Sequence, residues 1–123
     1  MSKKKDCFLV NRIKSVGFAF KGAYLLITTE ASIKVQLSIG VIMTIAGFYF
    51  DLSLTEWCIQ IIIIAIIIAV EGVNTTIEEI ADFIHPEHHQ KIGLIKDLAA
   101  GAVFIVAIAA VIIVCIIYIP KII

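Results

Sequence analysis

Glu71, Asn74, Glu78 and Asp82 recur at intervals of three and four residues. On an α-helix turning ~100° per residue they fall within a sector of about 80°, and Glu79 falls outside it. Three carboxylates and a carboxamide on one stripe make a row of hard oxygen donors. A cation such as Mg²⁺ takes one or two carboxylates and otherwise uses water and substrate phosphate. A carboxylate beside a hydroxyl can accept its proton while the oxygen attacks an electrophile. Farther on, Lys96 and Asp97 stand at the head of a charge-free run, where a lysine and a helix N-terminus suit a phosphate. Metal ligands, a base and a phosphate partner are the parts of phosphoryl transfer from a nucleotide to a hydroxyl. Neither G-x-x-x-x-G-K-[ST] nor G-x-G-x-x-G occurs, which excludes both glycine-rich phosphate loops.

The composition says in what medium these residues must be held. Of 123 residues, 61% are hydrophobic, and mean hydropathy is +1.07. Soluble domains are only ~45–50% apolar. The chain therefore reads as one all-α domain of an integral membrane protein, spanning residues 1–123. Three transmembrane spans are expected, over about 30–50, 56–84 and 97–119, the second with a cytoplasmic extension. Before them, residues 8–26 carry Leu9, Ile13, Val16, Phe20 and Tyr24 at helical spacing, with Asn11, Arg12, Lys14 and Ser15 on another face. This predicts an amphipathic helix lying on the membrane surface, or else one packed on the protein itself. Thr28 or Thr29 is expected to cap the helix that follows, and Glu30 to complement its dipole. Residues 51–56 read as a turn, and residues 87–96 as a polar loop. Pro120 is expected to stop the last helix.

Depth is what singles out Glu71. The run 57–70 is uncharged, so Glu71 lies about 21 Å along the helix from Trp57, short of a ~30 Å hydrocarbon core. An ionisable group at such depth is costly and marks a functional position, unless it is a structural carboxylate paired with a base on a neighbouring helix. Orientation follows from the basic residues. Lys3, Lys4, Lys5, Arg12, Lys14, Lys21 and Lys34 precede the first span, and Lys91 and Lys96 lie between the second and third. The N-terminus and the acidic stripe are therefore expected on the cytoplasmic side of the membrane. The formal net charge is +0, and no nucleic acid is expected among the partners. No cleavable signal peptide is evident in the first residues. Cys58 and Cys115 fall near the outer side, where a bridge is conceivable, although two buried thiols are the expectation.

Three segments resemble the small prokaryotic diacylglycerol kinase family, which includes the undecaprenol kinases. They are Glu71, Asn74, Thr75, Ile77 and Glu78 in the pattern E-x-x-N-[ST]-x-I-E; Glu87, His88 and His89; and Lys96 and Asp97 with the small residues after them. The resemblance covers roughly residues 12–117, with Lys21, Gly22 and Glu30 in register. It implies a homotrimer of three-span protomers whose active sites are shared between subunits. It also implies ATP as co-substrate, Mg²⁺ as cofactor and a membrane lipid as acceptor: diacylglycerol going to phosphatidic acid, or alternatively undecaprenol going to its phosphate. Carried over by position, Glu71 is the general base, and Glu30 and Glu78 are the metal carboxylates. Asn74, Asp82, Glu87, His89, Lys96, Asp97 and Arg12 match the nucleotide side, and Lys21 and Lys34 the lipid side. Thr76 stands where alanine is common, and Lys34 and Gln36 stand where other members carry arginine and an acid or histidine.

Other readings compete with this one. His85, His88 and His89 resemble a zinc run, but no cysteine lies near them, so a solvated loop or a nucleotide contact is expected. Glu79 reads as an interfacial charge, and Asp51 and Glu56 as residues of the outer turn serving solubility and capping. An ion-conducting subunit would need a polar path, yet the outer halves of the spans carry no ionisable residue. A non-catalytic assembly subunit would tolerate substitution of Glu71 and Glu78.

Overall fold

The computed structural model describes residues 7–123, so Lys3, Lys4 and Lys5 lie outside the described residues. Four helices follow one another: α1 (Phe8–Thr29), α2 (Ala31–Tyr49), α3 (Leu54–Ile84) and α4 (Gln90–Ile122). Helices α2, α3 and α4 are long and apolar enough to cross a membrane. At ~1.5 Å per residue, α3 is about 46 Å long and α4 about 50 Å, both well beyond a ~30 Å hydrocarbon core. That excess length is enough to carry the Asp82 end of the polar stripe and the first turns of α4 beyond such a core. Large apolar side chains such as Ile42, Ile45, Phe104, Ile105 and Ile116 are exposed, as lipid-facing residues are.

The two long helices pack most extensively on each other, and α2 packs on α3, while α1 makes few contacts. Beside the α2–α3 turn, Leu52, Ile117 and Tyr118 form a buried cluster, with Met43, Phe50, Trp57 and Val114 against it. Gly47 admits the Trp57 ring, which tilts against Phe48 with centroids 4.9 Å apart. Inside the bundle the Tyr118 hydroxyl donates to Gln60 Oε1 at 2.6 Å, and Gln60 Nε2 donates to the Met43 carbonyl at 3.0 Å. One polar knot thus ties α2, α3 and α4 together where no water can satisfy these groups. The α2–α3 turn reverses on Asp51, held at φ 56, a left-handed conformation that aspartate tolerates better than most residues. Ser53 then caps α3 in a reciprocal box with Glu56. Glu56 also pairs with Lys121 at 3.0 Å, closing the end of α4 onto the start of α3.

Several expectations are corrected here. Thr28 and Thr29 do not cap α2. They belong to α1, and their hydroxyls bond back to the carbonyls of Tyr24 and Leu25. The chain breaks helix at a single residue, Glu30, which ends α1 and begins α2 in an extended conformation. Residues 90–96 are not a loop. Helix α4 begins at Gln90, because the His89 ring accepts from the Lys91 N–H at 3.0 Å and caps the first turn. Lys96 therefore sits in the second turn, not at the helix start. Pro120 lies inside α4, which continues to Ile122. Cys58 and Cys115 are free and exposed on the helix surfaces, neither bridged nor buried.

Candidate active site

Glu71 is buried, at 8% exposure, in the C-terminal half of α3. Its partner is Gln36 of α2, whose Nε2 donates to Glu71 Oε2 at 3.4 Å. No basic side chain pairs with Glu71 among the described residues. One turn toward the C-terminal end of α3, Asn74 Nδ2 approaches Glu78 Oε2 at 3.5 Å. Asn74 Oδ1 is buried and has no hydrogen-bond partner among the described residues. One turn beyond Glu78, the Asp82 carboxylate pairs with Lys96 of α4 at 2.6 Å. The stripe inferred from helical spacing is continuous in the fold, and it fans from a buried carboxylate to an exposed ion pair.

Glu30 reaches this stripe through the joint between α1 and α2. The Thr75 hydroxyl donates to Glu30 Oε1 at 3.5 Å. The approach of α1 depends on Gly72, where an added Cβ would stand 3.0 Å from Leu26 Cδ1. Glu30 lines a cavity of about 420 Å³ with Leu26, Thr29, Thr75, Thr76 and Glu79. Glu79 lies off the stripe and is exposed, yet it lines this cavity with Glu30. The approach of α1 to α3 brings them to one cavity, and no periodicity along α3 encodes that approach. A larger cavity of about 660 Å³ opens beside the first turns of α4, lined by His88, His89, Lys91, Gly93 and Asp97 among others. His85 Nδ1 lies 2.7 Å from the Glu87 carbonyl, which shapes the approach to that cavity.

The remaining candidates stand apart. Arg12 is exposed on α1, bonded to Ser15 at 3.4 Å and placed over the Phe8 ring at 5.7 Å, contacts that are local to its own helix. Lys21 and Lys34 are exposed, Lys21 beside the Gly22 that lines the Glu30 cavity. Glu87 is exposed in the α3–α4 connection. Gln36 is the functional candidate that residue spacing did not single out, since a lone glutamine in an apolar helix carries no motif. A carboxamide within an otherwise apolar span is the available signal.

A profile of prokaryotic diacylglycerol kinases matches residues 17–118. The chain belongs to that family. It is 34% identical over 108 residues to the undecaprenol kinase of Bacillus subtilis (strain 168), covering 88% of each chain. It is 29% identical over 104 residues to the diacylglycerol kinase of Escherichia coli (strain K12), covering 85% of each. It is 27% identical over 104 residues to the diacylglycerol kinase of Synechocystis sp., covering 84% of this chain and 59% of that protein. As a member of the diacylglycerol kinase family, the protein is a multi-pass membrane lipid kinase, for which the family implies ATP as co-substrate. The all-α fold with three long apolar helices agrees with that membership.

Proposed function

We propose that the protein transfers the γ-phosphoryl group of ATP to the hydroxyl of diacylglycerol, giving phosphatidic acid and ADP, with Mg²⁺ as cofactor. The observation that carries this reading is the setting of Glu71: a buried carboxylate on an apolar helix, hydrogen-bonded to a neutral carboxamide, with a ladder of oxygen donors running from it toward the polar end. Glu71 takes the proton of the acceptor hydroxyl as its oxygen bonds to the γ-phosphorus. The bond from that phosphorus to the bridging oxygen breaks, and ADP leaves with the electron pair. Lys96 stays tethered to Asp82 within reach of the cytoplasmic end, a cation for the phosphates. The cavity beside His88, His89 and Asp97 is large enough to receive part of a nucleotide.

The donor set fits Mg²⁺. Asn74 Oδ1 is a buried carbonyl oxygen without a partner, and the carboxylates of Glu78 and Glu30 each carry a single long hydrogen bond of 3.5 Å. Such oxygens suit a hard cation. Glu30 and Glu78 would hold it, and Asn74 would accept its field. Held by these residues, the cation would supply positive charge to offset that of the phosphate oxygens. In this reading the N-terminus and the α3–α4 connection face the cytoplasm across the inner membrane. The working assembly is a homotrimer with shared sites, in which the exposed apolar side chains Phe8, Leu9, Ile13 and Phe20 of α1 meet lipid or a neighbouring protomer.

Undecaprenol is the second reading, favoured by the similarity to the Bacillus subtilis undecaprenol kinase. The deciding experiment presents dioctanoylglycerol and undecaprenol separately in mixed micelles with labelled ATP, to wild-type protein and to Glu71→Gln. Labelled phosphatidic acid at the higher kcat/KM supports diacylglycerol, and labelled undecaprenyl phosphate supports the second reading. In either case Glu71→Gln should lower kcat by about 10²–10⁴-fold, the usual worth of a placed base. A folded Glu71→Gln with near-normal kcat would refute the base assignment.

A further inference from the structure

Gln36 is the polar side chain that the inner half of α2 turns toward α3. It shares a helical stripe with Ile33, which is fully buried, and with Gly40, which is also buried. At Gly40 the two helices come so close that an added Cβ would stand 3.2 Å from Ile64 Cγ2. Flanked by these contacts, the Gln36 backbone has little freedom to move away from Glu71. Its carboxamide binds one carboxylate oxygen, Oε2. Glu71 Oε1 carries no hydrogen bond among the described residues. The same glutamine closes one end of an apolar cavity of about 310 Å³, lined also by Ile39, Met43, Ile67, Ala107 and Val114.

From this arrangement we infer that Gln36 is the positioning residue for Glu71. The neutral amide fixes Oε2 and so presents Oε1 to the acceptor hydroxyl. A lysine or arginine at this place would pair with the carboxylate and weaken it as a proton acceptor. A carboxamide orients it without neutralising it. The bond at 3.4 Å is long for N–H···O, as hydrogen bonds of catalytic groups often are before substrate binds. A hydrogen bond to a charged group is worth roughly 10- to 100-fold in a rate or equilibrium constant, and the length of this one places it near tenfold. Because the donor touches the base and no substrate, its loss acts on kcat and leaves both KM values in place.

This inference rests on Glu71 as the base, and its test separates the two. Gln36→Met keeps the length of the side chain and removes the donor. Gln36→His restores an N–H at a comparable distance from Cα. These variants are made alone and in the Glu71→Gln background, sized by gel filtration, and assayed with dioctanoylglycerol and undecaprenol, varying lipid and Mg·ATP in turn. Gln36→Met should lower kcat about tenfold at unchanged KM for both substrates. Gln36→His should recover most of that loss, and Gln36→Met should change nothing further in the Glu71→Gln background. If Gln36→Met does not fold, Gln36→Asn replaces it, because the amide retracted by one methylene loses the same contact. Wild-type kcat in folded Gln36→Met, or an equal loss in both backgrounds, overturns the inference while leaving Glu71 as the base. Near-normal kcat in folded Glu71→Gln removes the base reading itself, and the inference with it.

Discussion

Tyr118→Phe removes a single oxygen from the bundle, at a place where its absence can be measured. That hydroxyl donates to Gln60 Oε1 at 2.6 Å and stands 3.4 Å from the Met43 carbonyl. Gln60 is 3% exposed and Tyr118 is 6% exposed, so no water replaces the lost donor. Side-chain hydrogen bonds between membrane helices average ~0.6 kcal/mol and reach about 1.7. A stranded buried acceptor costs about 1–3 kcal/mol. The short bond and full burial place Tyr118→Phe at about 1.5–2 kcal/mol of lost stability. Gln60→Leu loses the bond to Met43 as well, yet leaves the tyrosine its longer contact with the same carbonyl, for about 1–2 kcal/mol. The double variant strands nothing, because the Met43 carbonyl keeps its own helical hydrogen bond. It should therefore cost about 1 kcal/mol less than the sum of the single variants. Unfolding in mixed micelles with a rising fraction of SDS, followed by far-ultraviolet circular dichroism, measures all three. Turnover per folded molecule should be unchanged, since the knot lies near the start of α3 and the end of α4, away from Glu71. Single variants within ~0.3 kcal/mol of wild type, or strict additivity, would refute the reasoning.

Gly47→Ala should destabilise the bundle by about 1–3 kcal/mol, because its Cβ would stand 2.6 Å from the Trp57 ring. The same unfolding titration reads the loss, and Trp57→Phe in that background should relieve part of it. Glu78→Gln should lower turnover by at least roughly 100-fold at saturating Mg²⁺ without altering the assembly, and retained activity would remove Glu78 from the metal site. For orientation, the exposed Cys7, Cys58 and Cys115 are first replaced by serine, and single cysteines are placed at Thr55 and at Gln90. Thr55 spares the Ser53 cap. In intact cells an impermeant thiol reagent should label the first and not the second, and the reverse would invert the topology.

Periodicity alone places Glu71, Asn74, Glu78 and Asp82 on one stripe, and the geometry of a single helix is enough to do so. Hydropathy likewise locates three long apolar helices, since a ~30 Å hydrocarbon core demands uninterrupted runs. Local capping was harder to read. A histidine cap at His89 and a one-residue break at Glu30 belong to no common start signal, so the start of α4 and the end of α1 were misplaced. What only the tertiary structure decided are the contacts between helices. The pairing of Gln36 with Glu71 spans 35 residues, that of Thr75 with Glu30 spans 45, and that of Tyr118 with Gln60 spans 58. The first two depend on close approach at Gly40 and Gly72, where the missing Cβ sets which faces meet. A sequence shows that such a residue is small. Which side chain comes to fill the space is determined by the crossing of two helices, a property of neither one alone.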